Sequence, residues 1–126
     1  MGKPLHITVA DDDPHMLFFV ERLLAKEVPA AKVDLFVQPA DALHHIHSVS
    51  TDLLITDHGM GPMNGTDLIR ELRKEHQTLP IIMISHSPGV REEAIAAGAN
   101  EFLDKNHVAT QLPHLVRSYL ALTAEK

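Results

Sequence analysis

Cysteine is absent from the 126 residues, which excludes disulfides, thiolate metal sites and thiol catalysis and is compatible with a cytoplasmic setting. Aromatic side chains are scarce: four Phe and one Tyr leave an aliphatic core and little surface for stacking on bases. Positive charge is in deficit, because 11 basic residues face 17 acidic ones for a formal net charge of -6, and a polyanion is not held by bulk electrostatics under those conditions. Direct binding of nucleic acid is therefore not expected. No apolar run approaches the ~18 residues that suggest a membrane span. The opening Met1-Gly2-Lys3-Pro4 leads into a strand rather than a signal-peptide core. The expectation is a cytoplasmic protein that does not touch membrane. With 44% hydrophobic residues and neither linker nor repeat, residues 1–126 read as one domain with an ordinary core and no effector module.

Short apolar runs alternate with helix-period segments from end to end, the mark of βαβ units. Strands are expected at Leu5 to Ala10, Val33 to Val37, Leu53 to Thr56, Pro80 to Ile84 and Glu101 to Leu103. The first helix opens with Asp13 as N-cap and Pro14 behind it, a favoured start, and buries Leu17, Val20, Leu23 and Leu24. The others are expected from Pro39 to about His47, Thr66 to Glu75, Val90 to Ala97 with Gly98 as the stop, and Val108 to Leu122. In the last, Pro113 is placed at a first turn or kink. Five units with right-handed crossovers predict an α/β (βα)5 fold of the flavodoxin-like class. Its parallel sheet has the order 2-1-3-4-5 and helices on both faces. Ligands in such sheets bind outside the carboxyl ends of the strands, at the switch point between strands 1 and 3.

Those two strands run into Asp11-Asp12-Asp13 and into Asp57, while strand 4 runs into Ser85 and strand 5 into Asp104-Lys105. Clustered carboxylates repel, and a divalent cation relieves them. Mg²⁺ (or Mn²⁺) suits the set, since it takes a few carboxylate oxygens and shares the remaining positions with water and phosphate. Asp12 and Asp57 are the candidate ligands, with Asp11 directly or through water and the backbone carbonyl near Gly59 beside them. A carboxylate so placed is a candidate aspartyl-phosphate nucleophile. Lys105 supplies charge, and Ser85 a hydroxyl, for the phosphoryl oxygens.

The residues that carry these features also carry a family pattern. They are Val9-Ala10-Asp11-Asp12-Asp13-Pro14, Asp52-Leu53-Leu54-Ile55-Thr56-Asp57, the turn ending Met63-Asn64-Gly65, Pro80-Ile81-Ile82-Met83-Ile84-Ser85, and Ala97-Gly98-Ala99-Asn100-Glu101-Phe102-Leu103-Asp104-Lys105. In that order, and over essentially the whole chain, they resemble the CheY-like receiver domain of two-component response regulators. The resemblance implies that Asp57 accepts a phosphoryl group from the phosphohistidine of a sensor histidine kinase or phosphotransfer protein. It implies that Asp11 and Asp12 are the acidic pair for Mg²⁺, that Ser85 and Lys105 contact the phosphoryl group, and that Phe102 is a switch aromatic turning inward as the Ser85 loop moves. Output would pass to a partner over the surface of the fourth helix, fifth strand and fifth helix, with a phosphorylation-linked homodimer as one form it takes. Such a domain is a signalling phosphoacceptor, with at most self-catalysed gain and loss of phosphate. The chain departs from the pattern at Gly61-Pro62 in the turn, at His86 after Ser85, at Phe102, which lacks a tyrosine hydroxyl, and at Asn106, which follows Lys105 where the family has proline. A trans bond or local strain is expected there.

Two other classes compete with this one. A receiver-like interaction module indifferent to phosphate draws on those departures, but intact Asp12, Asp57, Ser85 and Lys105 oppose it. A flavin or cobalamin domain lacks both a Ser/Thr-rich phosphate loop after strand 1 and the Asp-x-His-x-x-Gly pattern. Asp13 alone reads as a cap, Asp52 as a strand-entry residue, Asp104 as a solvated neighbour of Lys105, and Gly59, Gly61 and Gly65 as turn residues. Among ten histidines, His44, His45 and His47 lie close together on the second helix, and His44 and His47 share a face, but with no third ligand identifiable a solvated helix face is the favoured reading. His58 and His86 adjoin site residues and are candidates for tuning pH dependence or dephosphorylation.

Overall fold

The computed structural model describes residues 4–124, with side chains to residue 121; Met1, Gly2, Lys3 and the two C-terminal residues of the expected domain lie outside. Five strands, β1 (His6–Ala10), β2 (Lys32–Phe36), β3 (Leu53–Asp57), β4 (Ile81–Ser85) and β5 (Glu101–Asp104), alternate with α1 (Pro14–Glu27), α2 (Pro39–Ser48), α3 (Gly65–Arg73), α4 (Arg91–Ala97) and α5 (Val108–Ala124). All neighbouring strands are parallel and the sheet order is β2-β1-β3-β4-β5, as the alternation predicts.

The strand alternation sorts the apolar residues to two faces. Ile7, Val9, Leu53, Ile55, Ile82, Ile84 and Leu103 pack against Leu17, Val20 and Leu24 of α1 and Val108, Leu112, Val116 and Leu120 of α5. Their neighbours Ala10, Leu54, Ile81, Met83 and Phe102 pack against α2, α3 and α4 through Ala42, Ile46, Leu68, Ile69, Leu72 and Ala94. Buried on both faces, β3 and β4 are continuous apolar runs rather than alternating ones.

Helix starts follow local chemistry. Asp13 caps α1 by accepting from the His15 N–H, with Pro14 at the first position. Asn64 and Asp67 form a reciprocal capping box at α3. Gly98, at φ +124°, ends α4. Arg73 donates Nε and Nη2 to its carbonyl at 3.1 and 2.7 Å, and so ties the end of α3 to the end of α4.

Several boundaries differ from the sequence expectation. Strand β3 runs through Asp57 instead of stopping at Thr56, because Asp57 still pairs with Ile84. A 3-10 turn over Pro88–Val90 takes up the expected first residue of α4. Another over Lys105–His107 leads straight into α5, which starts at Val108 as expected, and of the two expected settings for Pro113, a first turn or a kink, the first does not hold, since it lies inside the helix.

At the start of β5, the Tyr119 hydroxyl donates to Glu101 Oε2 at 2.7 Å. Burial first, and then the Glu101 carboxylate, push the phenol up to about 12. The folded value lies above the ordinary one, so this contribution to stability is complete below about pH 10 and is lost as pH rises through about 12. Tyr119 is the one tyrosine in a chain without tryptophan, so ultraviolet absorbance reads it alone. At about pH 11 an ordinary phenol is roughly nine-tenths ionised, whereas Tyr119 is expected to remain largely protonated, and Glu101→Gln is expected to bring its midpoint down. An ordinary midpoint in the folded protein would contradict the assignment.

Candidate functional site

The strand register brings Ala10 beside Thr56, Asp57 beside Ile84, and Ser85 beside Asp104. The residues that follow or end these strands therefore meet at one edge of the sheet. Asp11 is 1% exposed, Asp57 6% and Ser85 5%, and Asp12 stands at the surface above them. Carboxylate oxygens of Asp11, Asp12 and Asp57 lie within 4.8 Å of one another. This all-oxygen set, partly buried and open on the Asp12 side, fits a hard divalent cation of the Mg²⁺ type.

Lys105 enters from the loop after β5. Its Nζ stands 3.1 Å from Asp11 Oδ2 and 3.1 Å from Asp57 Oδ1. Burial alone lowers the ammonium pKa, but the charges and contacts of Asp11 and Asp57 outweigh it and leave Lys105 raised. Asp11 is raised as well, first by burial and then by the repulsion of Asp57, despite the Asp13 N–H and Lys105 working in the other direction. The two directions are compatible because one cation serves two anions: the cation gains twice, while each anion shares it and faces its twin. For Lys105 the stabilising contribution is complete below 10.5 and falls away as pH climbs through its higher folded value.

The other predicted residues divide. Ser85 Oγ accepts from the Ser87 N–H at 3.0 Å, which anchors the loop leaving β4. Gly59 lies exposed two residues beyond Asp57, and His86 is exposed as well. His58 is half-buried, and its Nε2 has no hydrogen-bond partner among the described residues. Phe102 is already 8% exposed, packed in the core with the Arg91 guanidinium 5.9 Å from its ring centre. The peptide bond after Lys105 is trans, one of the two expected outcomes. Asp13 is a cap, and Asp52 accepts from the His6 N–H at 2.8 Å, as their local settings imply. Asp104 does more than stand in solvent, since its Oδ1 accepts from the Asn106 N–H and caps the turn that carries Lys105.

Sequence reasoning treats Gly65 as a turn residue; it is instead the first residue of α3, pressed against the acceptor strand. A Cβ at Gly65 would stand 2.1 Å from the Asp57 carbonyl oxygen. The Thr56 hydroxyl donates to that same oxygen at 2.9 Å, so the backbone beneath the acceptor is held from two sides. Nothing in the local pattern marks either contact. The periodicity also gives no warning of Phe18 and Phe19, which α1 leaves 59% and 42% exposed.

The family model for the response regulator receiver domain matches residues 7–117. The chain belongs to that family. It is 30% identical over 128 residues to the putative two-component response regulator ARR13 of Arabidopsis thaliana, covering 97% of this chain and 22% of that protein. It is 32% identical over 105 residues to the cyclic di-GMP phosphodiesterase response regulator RpfG of Xanthomonas campestris pv. campestris (strain 8004), covering 80% and 28%. The chain thus spans roughly a quarter of the length of these two curated relatives. Among solved structures, a putative response regulator from Chloroflexus aurantiacus J-10-fl superposes with TM-score 0.85 at 27% identity, over 94% of this chain and 99% of that one. A CheY-like receiver domain protein from Methanospirillum hungatei JF-1 gives 0.87 at 21%, over 98% of each, which supports the fold. Receiver domains are signalling modules rather than enzymes in the usual sense; the family binds Mg²⁺ at an acidic pocket and works with histidine kinases and output domains. Among the described residues of this receiver domain, no helix is long and apolar enough to cross a membrane.

Proposed function

We propose that this receiver domain takes a phosphoryl group from a phosphohistidine onto Asp57. The observation that carries the reading is the placing of Lys105 at 3.1 Å from both Asp11 and Asp57. It puts a fixed positive charge beside a nearly buried carboxylate at the open edge of the sheet. An oxygen of Asp57 attacks the phosphorus of the donor. The P–N bond breaks, its electron pair stays on the donor imidazole, and an acyl phosphate forms on Asp57. Lys105 and the Ser85 hydroxyl then hold two of the phosphoryl oxygens, Ser85 donating its O–H to phosphate while its Oγ still accepts from the Ser87 N–H. Asp11, Asp12, Asp57 and the Gly59 carbonyl would hold Mg²⁺ or Mn²⁺, which when bound neutralises charge on the transferring group.

Movement of the Ser85 loop onto phosphate would lock Phe102 in the buried position it takes here, and the surface of α4, β5 and α5 would change its population of shapes. A partner, or a second copy of the chain, reads that surface. Residues 1–126 act as one receiver domain in the cytoplasm, and the donor is a histidine kinase or phosphotransfer protein.

Intact-protein mass after incubation with Mg²⁺ and acetyl phosphate tests the transfer. The expected gain is one phosphoryl mass, absent in Asp57→Asn and absent with chelator. No gain with acetyl phosphate or with a phosphorylated kinase would sink the proposal and favour the phosphate-indifferent module.

A further inference from the structure

Helices in βαβ units run against their strands, so α2 and α3 end at the sheet edge remote from Asp57. There the structure assembles a group that the chain separates by 29 positions. His47, in the last turn of α2, meets Glu75 and His76, just past the end of α3. Its Nδ1 is 3.1 Å from Glu75 Oε2 and 3.1 Å from His76 Nε2, and the three ligand atoms lie within 4.8 Å of one another. Both ligands that join His47 come from beyond α3, and His44, which shares its helix face, is not part of the group.

Hydrogen bonding alone serves this arrangement poorly. A neutral His47 carries at most one proton on Nδ1, and that proton faces two acceptors at equal distance; a proton on His76 Nε2 satisfies one edge only. A cation at the centre would satisfy all three lone pairs at once. In tetrahedral Zn²⁺ coordination with bonds of about 2.0–2.1 Å, adjacent ligand atoms are about 3.3 Å apart. Two of the three edges are within a few tenths of an ångström of that spacing.

The support is rigid on both sides. Ile46, beside His47, is 4% exposed and pins the end of α2 into the core. The His76 carbonyl accepts from Arg73 Nη1 at 2.6 Å, and the same guanidinium is anchored on Gly98. Ligands on elements held this way are preorganised. The side chains themselves stay partly open, His47 at 35% and Glu75 at 69%, which leaves room for the small rotations that aim lone pairs and for water in a fourth position. A polar cavity of about 280 Å³ lined by His47, Ser48, Ser50, Thr51 and His76 adjoins the group.

We propose that His47, Glu75 and His76 form a second metal site, which takes Zn²⁺ or another late first-row divalent ion and clips α2 to the end of α3. Two imidazoles select such ions over Mg²⁺ and Ca²⁺, whereas the pocket at Asp57 offers oxygen only. The sites are thus separable by chemistry as well as by position. An ion bound by the folded chain alone also raises its stability by mass action.

Titration calorimetry with ZnCl₂ in a large excess of Mg²⁺, which occupies the carboxylate pocket, tests this. The wild type is expected to take up one equivalent of Zn²⁺ as a monomer, and its melting temperature is expected to rise with Zn²⁺. His47→Ala or His76→Ala should weaken binding at least tenfold, the double variant should lose it, and Glu75→Gln should weaken it several-fold. His47 is exposed and His76 half-buried, and circular dichroism verifies that the variants fold. Equal Zn²⁺ uptake by the wild type and the double variant, no uptake by the wild type, or uptake only on dimerisation would each overturn the proposal. Co²⁺ gives an independent reading, because its visible spectrum should show tetrahedral nitrogen and oxygen ligation in the wild type and lose it in His47→Ala.

Discussion

Gly65→Ala is expected to destabilise the domain by about 3 kcal/mol or more, a large share of the ~5–15 kcal/mol that holds a typical domain together. The added Cβ would stand 2.1 Å from the Asp57 carbonyl oxygen, 3.0 Å from its carbonyl carbon and 2.8 Å from Met83 Cε. The methionine tip can turn aside, but the carbonyl cannot. It belongs to β3, which is paired on one side with β1 and on the other with β4, and whose five residues are all buried. Relief must come from α3, whose start is fixed by the Asn64–Asp67 capping box and by a 2.6 Å bond from the Gly65 N–H to the His58 carbonyl. Moving that helix drags Leu68, Ile69 and Leu72 out of the core. The melting temperature should fall by on the order of 10 °C, and any protein that still folds should phosphorylate poorly because Asp57 is displaced. Gly59→Ala is the matched control, since a Cβ at Gly59 meets nothing within 4 Å. Wild-type stability in Gly65→Ala would show that the close approach is not real.

Lys105→Met is expected to slow phosphoryl uptake by about 100-fold, the usual order for removal of one preorganised donor from a transferring or developing charge. Methionine keeps length and apolar bulk while removing the only ammonium or guanidinium that contacts Asp11 and Asp57 among the described residues. Mg²⁺ binding should persist or tighten, because the ammonium and the metal compete for the same two carboxylates. At low Mg²⁺, the Asp11 carboxyl, already raised by burial and by Asp57, should rise further once its cation is gone. Mass-detected uptake rates, Mg²⁺ calorimetry and a carboxyl NMR titration separate the three effects. An unchanged rate would remove Lys105 from the transfer chemistry. A rate loss accompanied by loss of Mg²⁺ binding would mean that Lys105 organises the pocket rather than the phosphoryl group.

Much of this was legible in the chain because it depends on near neighbours. Apolar runs such as Leu53-Leu54-Ile55 and Ile81-Ile82-Met83-Ile84 declare buried parallel strands. The Asp13-Pro14 and Gly98 positions mark helix ends through bonds made within a few residues. Once the units alternate, handedness and packing leave few topologies, and the placing of Asp11, Asp57, Ser85 and Lys105 at one edge follows from strand order alone. Each of those residues is adjacent to a strand end, so its position is set by the strand that carries it.

Tertiary structure decided whatever depends on distance through space between elements. The double contact of Lys105 requires the β5 loop to lean over β3 and β1. The need for glycine at 65 is a collision with a carbonyl eight residues back, and its backbone does not adopt positive φ. Burial of Phe102 depends on how α4 sits against the sheet. His47 and His76 meet across 29 residues because α2 and α3 pack side by side. Periodicity and capping act over a turn or two of chain, and they establish which elements exist and which faces they bury. The final angles and separations of those elements come from fitting all the side chains together at once, and a contact of about 3 Å between two elements is decided only there.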